Sequence, residues 1–363
     1  MNFELSDDQR MIVDAATGFT RKQSPVARMR KLRDDPVGWS PEVWRQIGQL
    51  GWLGLAFPES VGGYGGTMVE VALVLEQLGT TLVPEPIVSS LVAGIALLRA
   101  GDPAQQQWLV PMIEGRTTLA LAWAERETRY DATRPATRAT RDADGYRLTG
   151  RKQFVLDGHA AAQLVVSAQC DGEVALFVVD ATTPGVTVQP LRTIDGRHAA
   201  HVELDTVVAK DRRLTGDGAA ALAYALDVGA AAACAEGAGI MRTVLAMTTE
   251  YLRTREQFGV RIGSFQVLQH RAVDMYVELE LAYSMALAAA IRIDDPATVS
   301  AAKVQLAESG RYVTQQAIQL HGGIGITDEH DVGLYFKRMH ALNATFGDAE
   351  FHVARFAGLS LLA

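Results

Sequence analysis

Residues 219–253 constrain this chain more than any other stretch: they form an Ala-rich, apolar-periodic run of about 35 residues without proline, which as a helix would extend ~50 Å. Such a helix cannot bury its apolar side alone, and its small side chains let neighbours approach closely, so a helical bundle is expected around it. Two further long helices, 264–292 and 296–320, and a last one near 350–361 supply the neighbours. Between the first two lies YLRTREQFGVRIGSFQVLQHRAVD (251–274), where the helix is expected to break at Gly259 and restart at about Ser264. Arg255, Gln257, Phe258 and Gln266 surround the break. A cation, an aromatic ring and amides between two helices form a polar ledge where unpaired backbone N–H groups can meet an anion. An ordinary solvated helix–loop–helix corner has the same spacing, so periodicity alone does not choose between the two.

Upstream the period changes twice. Residues 1–115 read as helices with short breaks. Ser6-Asp7-Asp8 offers an N-cap and an acidic first turn, and Ser40-Pro41-Glu42 offers an N-cap with proline at the first helical position. Helices resume at 68–78, 86–98 and 104–113, after a glycine-rich loop FPESVGGYGGT (57–67) that is a weak ligand signal by itself. Then GYRLTGRKQFVL (145–156), AQLVVSA (162–168), EVALFVVD (173–180) and GVTVQPL (185–191) alternate or run apolar between turn residues, which signals strands. The expected fold is α+β and mainly helical: an N-terminal helical domain over 1–115, a middle β domain over 116–215 and a C-terminal helical bundle over 216–363. No strand–GxGxxG–helix unit occurs, which excludes a βαβ dinucleotide fold.

Composition narrows the function classes. The chain has 363 residues, 48 % apolar and 21 % charged, as globular proteins do, and no stretch reaches the ~18 uninterrupted apolar residues of a membrane span. Lys and Arg number 34 against 42 Asp and Glu, a net charge of −8 that gives a nucleic acid no electrostatic help. The acidic N-terminus lacks an export leader, and Cys170 and Cys234 form neither a disulfide framework nor a zinc spacing, so a reducing cytoplasm and no metal site are expected.

Several motifs then line up in chain order: F-P-E-x-x-G-G-x-G-G (57–66), a V-x-E-x-L-G helix ending at Gly79, G-x-R-L-T-G-R-K (145–152), R-E-Q-F-G (255–259), S-F-Q-V-L-Q-H-R (264–271) and Q-L-H-G-G-I-G-I-T (319–327). On these motifs the chain resembles the flavin-dependent acyl-CoA dehydrogenases over essentially its whole length. The resemblance implies a helical domain, a β-barrel-like middle domain and a C-terminal four-helix bundle that builds the subunit interface. It also implies an FAD shared between subunits. The corner (Arg255, Gln257, Phe258, Gln266) and the loop (Gln319, Gly322, Gly323) of one chain would reach the adenosine and pyrophosphate of a flavin seated mainly on its neighbour. Their chemistry suits such a ligand. Arg255 can neutralise pyrophosphate, Phe258 can pack on adenine, and Gly322-Gly323 lets N–H groups approach phosphate oxygens.

The same resemblance exposes departures. The family's carboxylate base, which removes the α-proton of an acyl-CoA thioester, stands in one of two positions; here they are Phe346 and Gly229, neither able to accept a proton. Ala230 replaces an arginine that usually follows the second position. The T-E-P-x-x-G-S-D segment reads A-E-R-E-T-R-Y-D (124–131), with Tyr130 in place of a small serine, and W-I-T reads Phe154-Val155-Leu156, with no hydroxyl at Leu156. Flavin, substrate and base positions in cis are altered while those donated in trans are intact. The expectation is therefore a base-lacking subunit of an α2β2 acyl-CoA dehydrogenase, possessing a homologous partner chain and acting on an acyl-CoA as bulky as a sterol side-chain thioester, with electron-transfer flavoprotein as acceptor. The alternatives are a homomeric enzyme with a relocated base, Asp348 being better placed than Glu350, and a flavin-free scaffold subunit. Glu236, His270 and His321 are expected to be structural.

Overall fold

The computed structural model describes residues 4–360. Helix α1 (Asp7–Lys22) starts from a capping box in which Ser6 and Gln9 each satisfy the other's backbone N–H. After α2 (Val26–Leu32), α3 (Pro41–Gln49) starts at Ser40, whose hydroxyl accepts the Val43 N–H. Then come α4 (Met68–Gly79), α5 (Ile87–Ala100), α6 (Pro103–Gln106) and α7 (Val110–Ile113). The helix expected over 104–113 is instead two single turns joined by a 3-10 turn, because Pro111 can be accommodated only at the start of a helix.

The middle of the chain is one curled, mixed sheet: β1 (Leu119–Ala122), β2 (Arg138–Arg141), β3 (Gly145–Leu156), β4 (Gln163–Cys170), β5 (Glu173–Asp180), β6 (Val186–Arg192) and β7 (His198–Ala209). Its order is β1-β4-β2-β3-β7-β6, with β5 on the other side of β4; β1 and β2 run parallel to β4 and the remaining pairs are antiparallel. Pro190 sits in β6, an end strand, where a missing N–H costs least. Sequence periodicity finds β3 to β6 but not β1, β2 or β7. The four residues of β1 are all buried and show no alternation, and those of β2 are mostly charged or polar.

The helices then return: α8 (Gly218–Thr254), a two-residue hairpin β8 (Glu256–Gln257) and β9 (Val260–Arg261), α9 (Gln266–Ile291), α10 (Pro296–His321), α11 (Val332–Ala344) and α12 (Ala349–Ser360). The expected break at Gly259 lies within the hairpin turn; the helix ends earlier, at Thr254, and restarts at Gln266 rather than Ser264. Helix α11 escapes periodicity because Arg338 stands on its inner side, acceptable only through its buried ion pair with Glu236 of α8.

The chain divides into two compact units, residues 32–67 with 84–229, and residues 1–31 with 68–83 and 230–363. The first holds the sheet, whose core gathers Leu148, Leu164, Val166, Phe177 and Val202. In the second, α10 packs on α9, α11 and α12, and α4 on α1 and α9. Helices α4 and α8 cross at glycine: a Cβ on Gly239 would lie 1.9 Å from the Glu76 carbonyl oxygen. By length and hydropathy α8 could cross a membrane, yet 72 % of its most apolar window is buried, as in the core helix of a bundle.

Candidate functional site

Three segments singled out by sequence share one backbone anomaly. Phe154, Phe258 and Phe346 all have left-handed φ values (49°, 54° and 58°), a strained conformation for a bulky side chain. Such strain persists where surroundings over-determine it, and it clusters at functional sites.

Phe258 and Gly259 are the central residues of the β8–β9 hairpin, both with positive φ, as a type I′ turn requires. The turn throws the Phe258 ring out until it is 91 % exposed, with an edge contact to Phe265 at 6.3 Å. Arg255, Gln257 and Gln266 are exposed beside it, and the Arg255 guanidinium has no hydrogen-bond or ion-pair partner among the described residues. The loop after α10 is brought to the same end of the bundle. Tyr251, one turn before Arg255, stacks on His321 at 4.6 Å, two residues after Gln319. His321 is buried; its Nδ1 bonds the Ala317 carbonyl at 2.7 Å while Nε2 has no hydrogen-bond partner among the described residues. Gln319 stands exposed in the last turn of α10 and Gly322 and Gly323 open the 3-10 turn that follows, where a Cβ built on either glycine meets nothing within 4 Å. The corner and the glycine turn, linked through Tyr251 and His321, thus offer an unpaired cation, side-chain amides and open backbone near one end of the bundle. Those groups fit the pyrophosphate and adenosine of FAD.

In the sheet unit the two altered segments are likewise joined. The Lys152 ammonium donates to Glu125 Oε1 at 2.6 Å and to Ser167 Oγ at 3.1 Å, with both members of the ion pair fully buried. Glu125 also accepts from Thr137 N and Oγ1 at 3.0 and 2.6 Å and from Ala136 N. Burial alone would raise the Glu125 carboxyl, but Lys152 and Thr137 outweigh it and hold it below its usual value; burial pushes Lys152 down to about 8. The Gln153 N–H reaches the Ala124 carbonyl at 2.8 Å, and pairing with β7 shifts register between Lys152 and Val155. This bulge turns Phe154 outward, 60 % exposed, with its ring edge-on to His201 at 5.6 Å. Sequence reasoning misses the Glu125–Lys152 anchor, although each residue lies inside a segment that the family resemblance picks out.

The two positions at which the family resemblance expects a base are also described. Gly229 is buried in α8, and Phe346 is 8 % exposed in the turn between α11 and α12. Asp348 caps α12, its Oδ1 accepting the Phe351 N–H at 2.9 Å. Glu236 is held by Arg338 through two bonds of 2.7 and 2.8 Å. Cys170 and Cys234 are buried free thiols, with burial raising Cys234 to about 12.

Family profiles match along the chain in the same order: acyl-CoA dehydrogenase N-terminal domain over residues 6–116, middle domain over 120–207 and C-terminal domain over 216–358. The chain belongs to the acyl-CoA dehydrogenase family. It is 32 % identical over 344 residues to acyl-CoA dehydrogenase IpdE2 of Mycolicibacterium smegmatis, covering 93 % of both proteins. Among solved structures it is similar to a chain of the ChsE4–ChsE5 complex from Mycobacterium tuberculosis, with a TM-score of 0.90, 31 % identity and 98 % coverage of both chains. A chain of the Tcur3481–Tcur3483 steroid ACAD matches equally well, with a TM-score of 0.90, 30 % identity and 98 % coverage of both chains.

Proposed function

We propose that this chain is the base-lacking subunit of a heteromeric, FAD-dependent acyl-CoA dehydrogenase that desaturates a bulky acyl-CoA thioester, such as one carrying a sterol side chain. The observation that carries the reading is an asymmetry. The Arg255–Phe258 corner and the Gln319–Gly323 segment are both exposed and are linked through Tyr251 and His321, while Phe346 and Gly229 offer no carboxylate. Two of the similar solved structures are complexes of two different chains, one described as a steroid ACAD.

In this reading Arg255 neutralises the pyrophosphate of a flavin seated on the partner, the Phe258 ring covers adenine, and the amides of Gly322 and Gly323 donate to phosphate oxygens. Gln257, Gln266 and Gln319 supply side-chain amides to the same ligand. When bound, FAD supplies the hydride acceptor, and electron-transfer flavoprotein would drain the complex. In its own sheet unit, Leu156 has no hydroxyl for a flavin edge and Tyr130 fills a serine's place, so the complete sites belong to the partner's half of each pair. A homomeric enzyme with Asp348 as base is the less favoured reading, because Asp348 already accepts the Phe351 N–H as a helix cap.

Co-expression with a homologous dehydrogenase chain and counting of flavin per chain tests this. About one FAD per two chains, with turnover only in the complex, is expected. A flavin-replete oligomer of this chain alone that oxidises acyl-CoA would sink the reading.

A further inference from the structure

The turn at Phe346 is held by a device that no helix packing requires. Lys303, about two turns into α10, is fully buried, and its ammonium donates to three carbonyls: Leu342 at 2.8 Å, Asn343 at 3.2 Å and Gly347 at 3.0 Å. The first two belong to the last turn of α11, where helix carbonyls lack intrahelical partners and a cation is favoured; the third lies beyond the left-handed residue. A second donor closes the turn from the other side, His352 Nε2 to the Phe346 carbonyl at 3.0 Å. Gly347 is required there, with φ 111° and a Cβ position 2.6 Å from His352 Nε2. Every one of these bonds goes to main chain; none involves the ring of Phe346.

A buried ammonium is expensive to desolvate, and hydrophobic replacements of buried charges are often as stable, so general stability is a poor reason for its presence. What the ammonium does uniquely is bridge the end of α11 to Gly347, across a strained residue. We propose that Lys303 is a positioning residue for the acyl site: by gripping the carbonyls on either side of Phe346 it sets where residue 346 stands, whatever side chain is there. The placement of that turn beside the acyl group rests on the functional reading above. The grip itself does not. On this view the subunit keeps the rigid frame of the turn and presents an apolar ring on it, which shapes the acyl pocket instead of moving a proton.

The test uses the full-length chain assembled with its partner, read by hydrogen exchange and by steady-state kinetics. Lys303→Met keeps the apolar stem and removes the donors. It is expected to speed exchange of amides 345–352 at least tenfold while α9 and the C-terminal half of α10 keep their protection. Phe346→Ala should leave the same amides within about twofold of wild type, because the grip is on backbone. If Lys303→Met is poorly folded, Lys303→Gln, with two N–H donors, takes its place and should give an intermediate, equally local loss. Unchanged exchange at 345–352, or a loosening spread evenly over all helices, overturns the grip. In turnover, Lys303→Met should raise KM for the acyl thioester with little change in kcat. Unchanged kinetics alongside local loosening would overturn the acyl-site role, while flavin stoichiometry separately judges the subunit reading.

Discussion

At the residue scale the most informative side chain after Lys303 is His352. It is buried, donates through Nε2 to the Phe346 carbonyl, and leaves Nδ1 without a hydrogen-bond partner among the described residues. Burial, together with the charge of Lys303, drives its imidazole down to about 4. Between about pH 6.5 and pH 4 the unfolded chain binds a proton that the native chain refuses, so stability falls as pH drops through that window. One group shifted this far accounts for about 3 kcal/mol. His352→Gln keeps an N–H donor but cannot titrate; urea unfolding between pH 4 and 7 should show an acid limb shallower by nearly one proton than wild type. An unchanged limb would mean that the native imidazole is protonated like a free one.

At the element scale the crossing of α4 and α8 sets how closely the bundle closes. Gly239 faces the Glu76 carbonyl with no room for a methyl, and on the same helix pair Arg242 reaches Glu76 at 2.6 Å. Burial raises the Glu76 carboxyl against the opposing pull of Arg242. Gly239→Ala should therefore push the two helices apart and cost about 1–3 kcal/mol, the usual range for overpacking, read as a lower thermal midpoint. A midpoint equal to wild type would show that α8 can shift without loss. Element boundaries show the limits of periodicity. Helix α8 is legible because small residues repeat over its whole length. Helix α11 is not, since the Arg338 that interrupts its apolar side is neutralised by Glu236, 102 positions away.

At the scale of the whole molecule, the chain carries all three domains of the family, with Phe346 and Gly229 where the family resemblance expects a carboxylate. The altered segments of the sheet unit are firmly built, anchored by the buried Glu125–Lys152 pair, so their departures are not signs of decay in the fold. The exposed corner makes no use of its own arginine. Arg255→Ala should accordingly leave the folding and thermal midpoint of the isolated chain unchanged. In the assembled complex it should weaken FAD retention about tenfold or more, as expected for loss of a charged hydrogen bond, measured by flavin release on dilution. Retention equal to wild type would remove Arg255 from the flavin site.

Long periodic helices, alternating strands and six motifs in fixed order identify the fold and the family from the sequence alone, because these signals are local and repeat. The residues proposed to reach a partner's flavin are legible for the same reason, each lying in a short contiguous motif. Phe346 and Gly229 are legible as residues without a carboxylate at the positions where the family resemblance expects one. Only the tertiary structure decided how the groups are held. It put Tyr251 on His321 and so joined the corner to the glycine loop. It placed Lys152 on Glu125 and set Lys303 beneath the turn at Phe346. Those pairings depend on residues far apart in the chain meeting in a low-dielectric interior, and a buried lysine has no periodicity by which a sequence can announce its partner.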